Sequence, residues 1–365
     1  MRARKVPLYK QVVRKLEQAI ANGDYEENSA MPSDIDLSQE LKVSIDTVRK
    51  AYSDLVKRGW VKRVRKKGTI LLSSSKRHRI EKIGVILVKS IPPYQLLLQG
   101  VEKVMGERGT GLFMRWNGDH EATNQEAIMS ALKNDSQGLI VSPPFPSSFE
   151  FLRGLASEGF PLVLVLVGDP QIHSVIPDDH QAGYLIGEHF ARKGFRRVAA
   201  VIRDGFIGRE RLHGFREALA KNGIELLPNG VIPIEYADAN NQMLADLGRR
   251  EAEAIVKLPE LPEAIFVFND SHAIALHYWL QKHKISVPDD IALAAVDNLG
   301  KDFSPISLTS VDIGLTSIGS RAAELLIAQI ENPRHLVVQE KIAPRLIVGA
   351  STAKGMDKQA TISLH

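Results

Sequence analysis

The chain has 365 residues, 44% hydrophobic and 25% charged, a composition typical of a soluble globular protein and a length that calls for two or three domains. It contains no cysteine, which excludes disulfides, thiolate metal sites and cysteine nucleophiles and agrees with a cytoplasmic location. The net charge of +4 is unevenly spread: residues 1–79 hold 19 Lys/Arg against 9 Asp/Glu and the remainder 28 against 34, an asymmetry that points to a nucleic-acid or membrane contact in the basic part.

A membrane contact is the weaker of the two. No purely apolar run is longer than Leu162 to Val167, which is the length of a buried strand and far short of a bilayer span. Met1 to Lys15 is basic and amphipathic and has no apolar h-region, so no signal peptide is read there.

In chain order, Leu8, Val12, Leu16 and Ile20 recur at helical spacing, and Asn22-Gly23 stops that helix. Pro32-Ser33 opens a second helix, with Ser33 as N-cap, Asp36 at the capping-box position, and Ile35, Leu37 and Leu41 as its apolar face. Val43-Ser44 is a tight turn, and Ser44 caps a third helix whose buried stripe is Val48, Ala51, Tyr52 and Leu55. Gly59 ends it. Trp60 then begins a hairpin, in which "RVRKKGTI" (63–70) places four cations beside a glycine.

Three helices with a tight turn between the last two, then a hairpin, make a winged helix-turn-helix. With Val48, Ala51 and Leu55 inward, Asp46, Thr47, Arg49, Lys50 and Ser53 face outward on a helix of the right width for a major groove. Ser44 lies at its tip. The wing would present Arg65, Lys66, Lys67, Gly68 and Thr69 to the flanking backbone, the cations neutralising phosphates and the glycine allowing close approach.

Residues 7–71 resemble the DNA-binding domain of the GntR family. "PLYKQVVRKLEQAIANGDY" matches its opening helix, "MPSDIDLSQELKVSIDTVRKAYSDLVKRGWV" its helix-turn-helix and "KKGTIL" its wing. The family usually has arginine after the Pro-Ser-acid opening and again just after the Val-Ser turn. Here those positions are Ile35 and Ile45, while a third family arginine is kept as Arg49, so the family's usual operator pattern is not carried over.

Residues 73–81 form a polar, basic linker. After it come short β-rich apolar runs: "KIGVILV" (82–88), "GLFMRW" (111–116), "QGLIVSP" (137–143), "PLVLVLVG" (161–168), "RRVAAVI" (196–202), "AIFVFND" (264–270) and "IALAAVD" (291–297). Stretches of helix length separate them, such as Gln181 to Lys193 and Glu210 to Asn222. The fold class is therefore an α+β winged helix-turn-helix followed by an α/β domain with parallel sheets, long enough for two lobes. Domains are expected at 1–72 and 82–352, with a disordered tail at 353–365.

Ligands of open α/β sheets bind beyond the carboxyl ends of the strands. The residues there are Ser90 and Tyr94, Asn117 and Asp119, Ser142 and Phe145, Asp169, Arg211, Asn269-Asp270 and Asp297-Asn298. Carboxylates, amides, an arginine and aromatics suit hydrogen bonding to neighbouring hydroxyls with sugar faces on rings. Asp and Asn in such places also cap the following helix, so the two roles compete.

Residues 82–352 resemble the effector domain of the LacI family, itself similar to periplasmic sugar-binding proteins. "VIPDDHQAGYLIGEHFARKGFRRVAAV" matches the crossover between lobes and "RERLHGFREAL" the ligand-arginine helix. "AIFVFNDSHAIAL" and "VPDDIALAAVDN" match the next two strands, "SLTSVDIGLTSIGSRAAELLI" the return to the first lobe and "LIVGAST" the end, with Gly349 where arginine is usual. The resemblance implies Arg211, Asp297, Asn269 and Asp169 as effector contacts, with Tyr94 and Tyr236 as aromatic candidates.

No G-x-G-x-x-G follows the first strand, and no P-loop, H-E-x-x-H or G-x-S-x-G motif is present. The histidines lack metal-ligand spacing, and no metal, cofactor or catalytic residue is expected. The reading is a homodimeric transcriptional repressor of carbohydrate-utilisation genes, released from double-stranded operator DNA by a small sugar and making no membrane contact. Two other readings stay open. One keeps the regulator but gives it a purine or sugar phosphate, with Arg115, Arg203 and Arg209 supplying cations. The other is a sugar- or nucleoside-processing enzyme with a DNA-binding head, which the missing catalytic motifs oppose.

Overall fold

The computed structural model describes residues 7–57, 59–65, 67–72, 80–88, 93–117, 121–142, 148–234, 247–300, 304–331 and 336–353. Lys66, Tyr236, residues 73–79 of the linker and the tail from 354 onward lie outside the described residues.

The head begins with α1 (Leu8–Ala21), which buries Val12, Val13, Leu16 and Ile20. Leu8, expected in that stripe, is exposed, and Val13 extends the buried face instead. Helix α2 (Asp34–Leu41) starts at Ser33, whose Oγ accepts from the Asp36 amide at 3.2 Å while its hydroxyl donates to the Asp36 carboxylate at 2.6 Å. Leu37 is buried but Ile35 points outward, 56% exposed, so the apolar face of this short helix is narrower than its sequence implies.

Helix α3 (Ile45–Lys57) is capped by Ser44, whose Oγ accepts from the Thr47 amide at 3.2 Å. Val48, Ala51, Tyr52 and Leu55 are fully buried. The Tyr52 hydroxyl donates to the Pro32 carbonyl at 2.7 Å, which ties the start of α2 to the middle of α3. Strands β1 (Val61–Val64) and β2 (Gly68–Leu71) pair antiparallel, with Val61 opposite Leu71 and Val64 opposite Gly68. Residues 28–31 add a third ribbon. The Met31 amide donates to the Thr69 carbonyl at 2.8 Å and the Leu71 amide to the Ser29 carbonyl at 3.0 Å.

The chain as a whole divides into two compact units. One comprises Met1–Ser90, Leu98–Val175 and Gly319–Glu340, and the other Ile91–Leu97, Ile176–Ile318 and Lys341–His365. Besides the head, the first holds a six-stranded sheet built from β3 (Lys82–Val88), β4 (Gly111–Asn117), β5 (Leu139–Val141), β6 (Leu162–Val165), β7 (His173–Pro177) and a late strand, β13 (Gln339–Ile342), in the order β13-β7-β6-β5-β3-β4. The pairs β4–β3, β3–β5, β5–β6 and β6–β7 are parallel. Helices α4 (Pro93–Glu107), α5 (Glu121–Lys133) and α6 (Ser148–Ser157) connect the early strands, as parallel pairing requires.

The second unit repeats the theme. After α7 (Asp179–Arg192) come β8 (Val198–Arg203), α8 (Phe206–Lys221), β9 (Leu226–Ile234), α9 (Arg249–Val256), β10 (Ala264–Val267), α10 (Asp270–Lys282), β11 (Ala292–Val296) and β12 (Thr309–Asp312). Helix α11 (Leu315–Glu331) and β13 follow, and β14 (Arg345–Ile347) closes the sheet in the order β14-β12-β11-β10-β8-β9. Its neighbouring strands run parallel except β12 and β14, which are antiparallel. Strands β10 and β11 are buried at every residue, which is why they read as unbroken apolar runs.

Candidate functional site

On the head, the outward face of α3 is as its helical period dictates. Asp46, Arg49, Lys50 and Ser53 are exposed, and so are Arg65, Lys67 and Gly68 at the wing. Gly68 has φ +80°, a left-handed conformation that suits glycine at the tip of so short a hairpin. Ser44 and Thr47 are engaged with each other, their hydroxyl oxygens 2.8 Å apart. Thr69 corrects the expectation for the wing. It is buried, because by strand alternation it shares the core-facing side with Leu71 and not the outer face that a duplex would meet.

Sequence reasoning missed the acid that organises this surface. The Asp34 carboxylate accepts from Arg49 Nε at 3.4 Å and from an Arg63 terminal nitrogen at 2.9 Å, so one side chain from α2 steadies both α3 and β1. Asp46 lies 3.6 Å from the same Arg49 guanidinium. These pairs are exposed and add little to stability, but they aim the arginines.

The second unit gathers the other cluster at the carboxyl ends of its strands. Arg211, on α8, is buried. Its Nε donates to Asp179 Oδ1 at 2.8 Å, one terminal nitrogen donates to the Phe268 carbonyl at 2.6 Å, and its guanidinium lies 4.8 Å from the Phe268 ring centre. Three restraints hold the fork flat, and a guanidinium so held keeps further N–H donors for a ligand. The helix contact that delivers it is made by glycine: a Cβ on Gly183 of α7 would overlap the Arg211 carbonyl, and one on Gly214 of α8 would overlap the His180 carbonyl.

Asp297 follows β11. It is buried and has φ +120°, and Asn298 next to it has φ +53°. Two consecutive non-glycine residues in this region are strained, and the surrounding structure must hold them there. Asp270 does so. One of its carboxylate oxygens accepts from the Ser310 hydroxyl at 2.6 Å, the other from the Leu299 amide at 2.8 Å, and the Asn298 amide donates to Ser310 Oγ at 3.0 Å.

Burial pushes the Asp297 carboxyl up to about 8; Arg211 opposes the rise, and the negative charges of Asp270 and Asp179 add to it. Burial also lifts Asp270, to about 6, against the pull of its hydrogen bonds to Ser310 and Leu299. Asp179 is raised by burial as well, with Arg211 countering it. Three buried acids thus share one guanidinium.

The other expected contacts divide. Asn269 is a helix cap: its Oδ1 accepts from the His272 amide at 2.9 Å, and His272 Nδ1 lies 2.8 Å from the same oxygen. Tyr94 is buried in the first turn of α4. Tyr236 lies outside the described residues.

Asp169 is a correction. Val163 is level with His173 in the parallel β6–β7 pair, so residues 166–172 must double back, which carries Asp169 away from the carboxyl ends of the strands. There both its oxygens are occupied. One accepts from Arg153 at 2.9 and 2.6 Å, and the other from the Gln171 amide at 2.9 Å. Burial raises its pKa, but those bonds outweigh it and the net shift is downward. Asp179 and Phe268 were missed as site residues, the first because an Asp-Asp pair before a helix reads as a cap; Asp270 stood among the strand-end residues, where its Asn-Asp pair also read as a cap.

Among the described residues no group of three or more His, Cys, Asp or Glu could hold a metal ion, and no helix is long and apolar enough to cross a membrane. Known proteins share both parts of this architecture. Residues 8–71 match the bacterial regulatory proteins of the gntR family, and residues 188–352 a periplasmic binding protein-like domain. The arabinose metabolism transcriptional repressor of Geobacillus stearothermophilus is 24% identical over 96% of this chain and 99% of its own. The HTH-type transcriptional repressor PurR of Aliivibrio salmonicida is 26% identical over 69% of this chain and 76% of its own. The crystal structure of the transcription regulator CcpA of Lactococcus lactis superposes with a TM-score of 0.66 at 20% identity, covering 75% of this chain and all of that one. The chain therefore joins a gntR-family helix-turn-helix domain to a periplasmic-binding-protein-like effector domain with the fold of LacI-type regulators.

Proposed function

We propose that this protein is a transcriptional repressor that binds operator DNA through its winged head and is released by a small neutral sugar, arabinose first among the candidates, held beyond the carboxyl ends of the second-unit strands. The observation that carries the reading is the Arg211–Asp297 arrangement. A guanidinium held flat by Asp179 and Phe268 acts electrostatically on the buried, strained Asp297 carboxyl, in a chain whose relative named for arabinose metabolism aligns across both domains. A fork of donors and a carboxylate acceptor match the vicinal hydroxyls of a sugar. The three acids around one arginine leave no surplus positive charge there for a phosphate, which favours an uncharged ligand. Two chains forming a homodimer would set two recognition helices on one operator.

A thermal-shift panel of pentoses, hexoses, their phosphates and purines tests the ligand. At one hundred times its dissociation constant a ligand adds about 2.7 kcal/mol of stability. A shift with arabinose, and loss of operator binding at the same concentration, is the expected result. A shift confined to purines would favour the regulator with a purine ligand, and one confined to phosphates would overturn the charge argument.

The head carries two further expectations. Arg49→Ala should weaken operator binding by about 1–3 kcal/mol if that side chain reads a base edge or clamps a phosphate, measured by equilibrium titration against the unaltered protein. Replacing Arg65 and Lys67 with alanine should weaken binding to every sequence alike. It should also flatten the dependence of log K on log salt by about 0.9 for each phosphate no longer neutralised, and an unchanged slope would take the wing off the backbone.

A further inference from the structure

Ile45 is the first residue of α3, directly after its Ser44 cap, and it is 37% exposed. Single exposed isoleucines are ordinary on protein surfaces. This one differs in its place: the first turn of a recognition helix is the part that meets base edges. Arg49, four residues on, shares its helix face. Asp46 follows Ile45 immediately, with its side chain almost wholly in solvent. The tip therefore offers a branched apolar group and an acceptor, and its arginine is tethered back by Asp34 and Asp46 at 3.4 and 3.6 Å.

Apolar side chains in the major groove have one specific counterpart, the C5-methyl group of thymine; cytosine, adenine and guanine present only polar groups or bare edges there. An isoleucine pressed against any of those would desolvate polar atoms without pairing them. We infer that Ile45 reads a thymine methyl, so that each operator half-site carries a thymine opposite the tip of α3. Ile45 and Asp46 together then give the tip a thymine contact and an acceptor for an exocyclic amino group of cytosine or adenine. The inference rests on the proposed operator binding.

The test changes the DNA and leaves the protein intact. Operators are selected from random duplexes with the full-length chain, and each thymine is replaced in turn by uracil, which removes the methyl group and nothing else. For the unaltered protein, one position in each half-site should lose affinity by about fourfold, the change expected for one buried methyl-sized group. Ile45→Ser should bind thymine and uracil equally at that position while keeping the sensitivity of the others. If no thymine shows the effect, or if it persists in Ile45→Ser, the inference is overturned. If selection yields no preferred sequence at all, it is the operator reading that fails, which is a separate result.

Discussion

Gly183→Ala is expected to destabilise the second unit by about 3 kcal/mol or more and to abolish the effector response with it. The added Cβ would overlap the Arg211 carbonyl, with the Arg211 carbonyl carbon and Cα close behind, so the obstacle is backbone and no rotamer change relieves it. Helices α7 and α8 must separate. Asp179 lies one turn before Gly183 on the same face of α7, and its 2.8 Å bond to Arg211 is the first casualty. The same step that admits a methyl group therefore strands a buried carboxylate and frees the guanidinium from its flat seat. Gly154→Ala in α6 is the control. Nothing lies within 4 Å of a Cβ there, and alanine is the better helix former by roughly 0.5–1 kcal/mol, so the sign should reverse. Thermal unfolding of both variants distinguishes the cases, and equal transitions for Gly183→Ala and the unaltered protein would mean the helices can part at no cost.

How much of this was legible beforehand depends on what each residue had to do locally. The three helices of the head followed from apolar spacing and caps, because a small domain has to place most of its apolar residues in one core. The fully buried strands were equally plain as apolar runs. Strands β7, β12 and β13 were not, since "HSVIP", "TSVD" and "QEKI" carry polar residues that pairing, rather than composition, makes into strands. Strand β9 hides better still: "LLPNGVIPI" contains two prolines and Asn-Gly, which read as a turn, yet it sits at the sheet edge where proline is tolerated.

Arg211 and Asp297 could be named from their place after strands and from resemblance. Asp179 could not, and Asp270, though placed after its strand, could not be told from a cap, because a capping aspartate and a buried counter-ion look alike until the helices are packed. Asp169 misled for a related reason: position after a strand implies the carboxyl edge only when the chain does not double back within a few residues.

Asp297→Asn should remove the effector response while leaving operator binding intact, and it should change how stability depends on pH. Asparagine has nearly the shape of aspartate and the φ of +120° is held by the surrounding structure, so the loop should keep its shape. What changes is the acceptor. Rotated either way, the amide presents one donor where a ligand hydroxyl needs an oxygen, a loss of about 1–3 kcal/mol for an unsatisfied buried group.

The pH dependence follows from the raised pKa. Folded, the carboxyl titrates at about 8, and its ordinary value is 3.8, so between those values the ligand-free folded state holds a proton that the unfolded chain has released. Stability contributed by that proton is intact below pH 3.8 and is lost as the pH climbs through 8. Asparagine carries no such proton. The variant should therefore match the unaltered protein near pH 4 and exceed it in melting temperature near pH 9. Arg211 tempers the difference, while Asp270 and Asp179 enlarge it.

For the ligand the sign is opposite. A hydroxyl donor prefers the ionised carboxylate, so affinity in the unaltered protein should tighten as the pH rises from 6 to 8, by up to about tenfold per unit. A dissociation constant that stays flat over that range, with the response still lost in Asp297→Asn, would mean that the protonated carboxyl donates to a ligand oxygen. A response retained in Asp297→Asn would take the residue out of the binding site altogether.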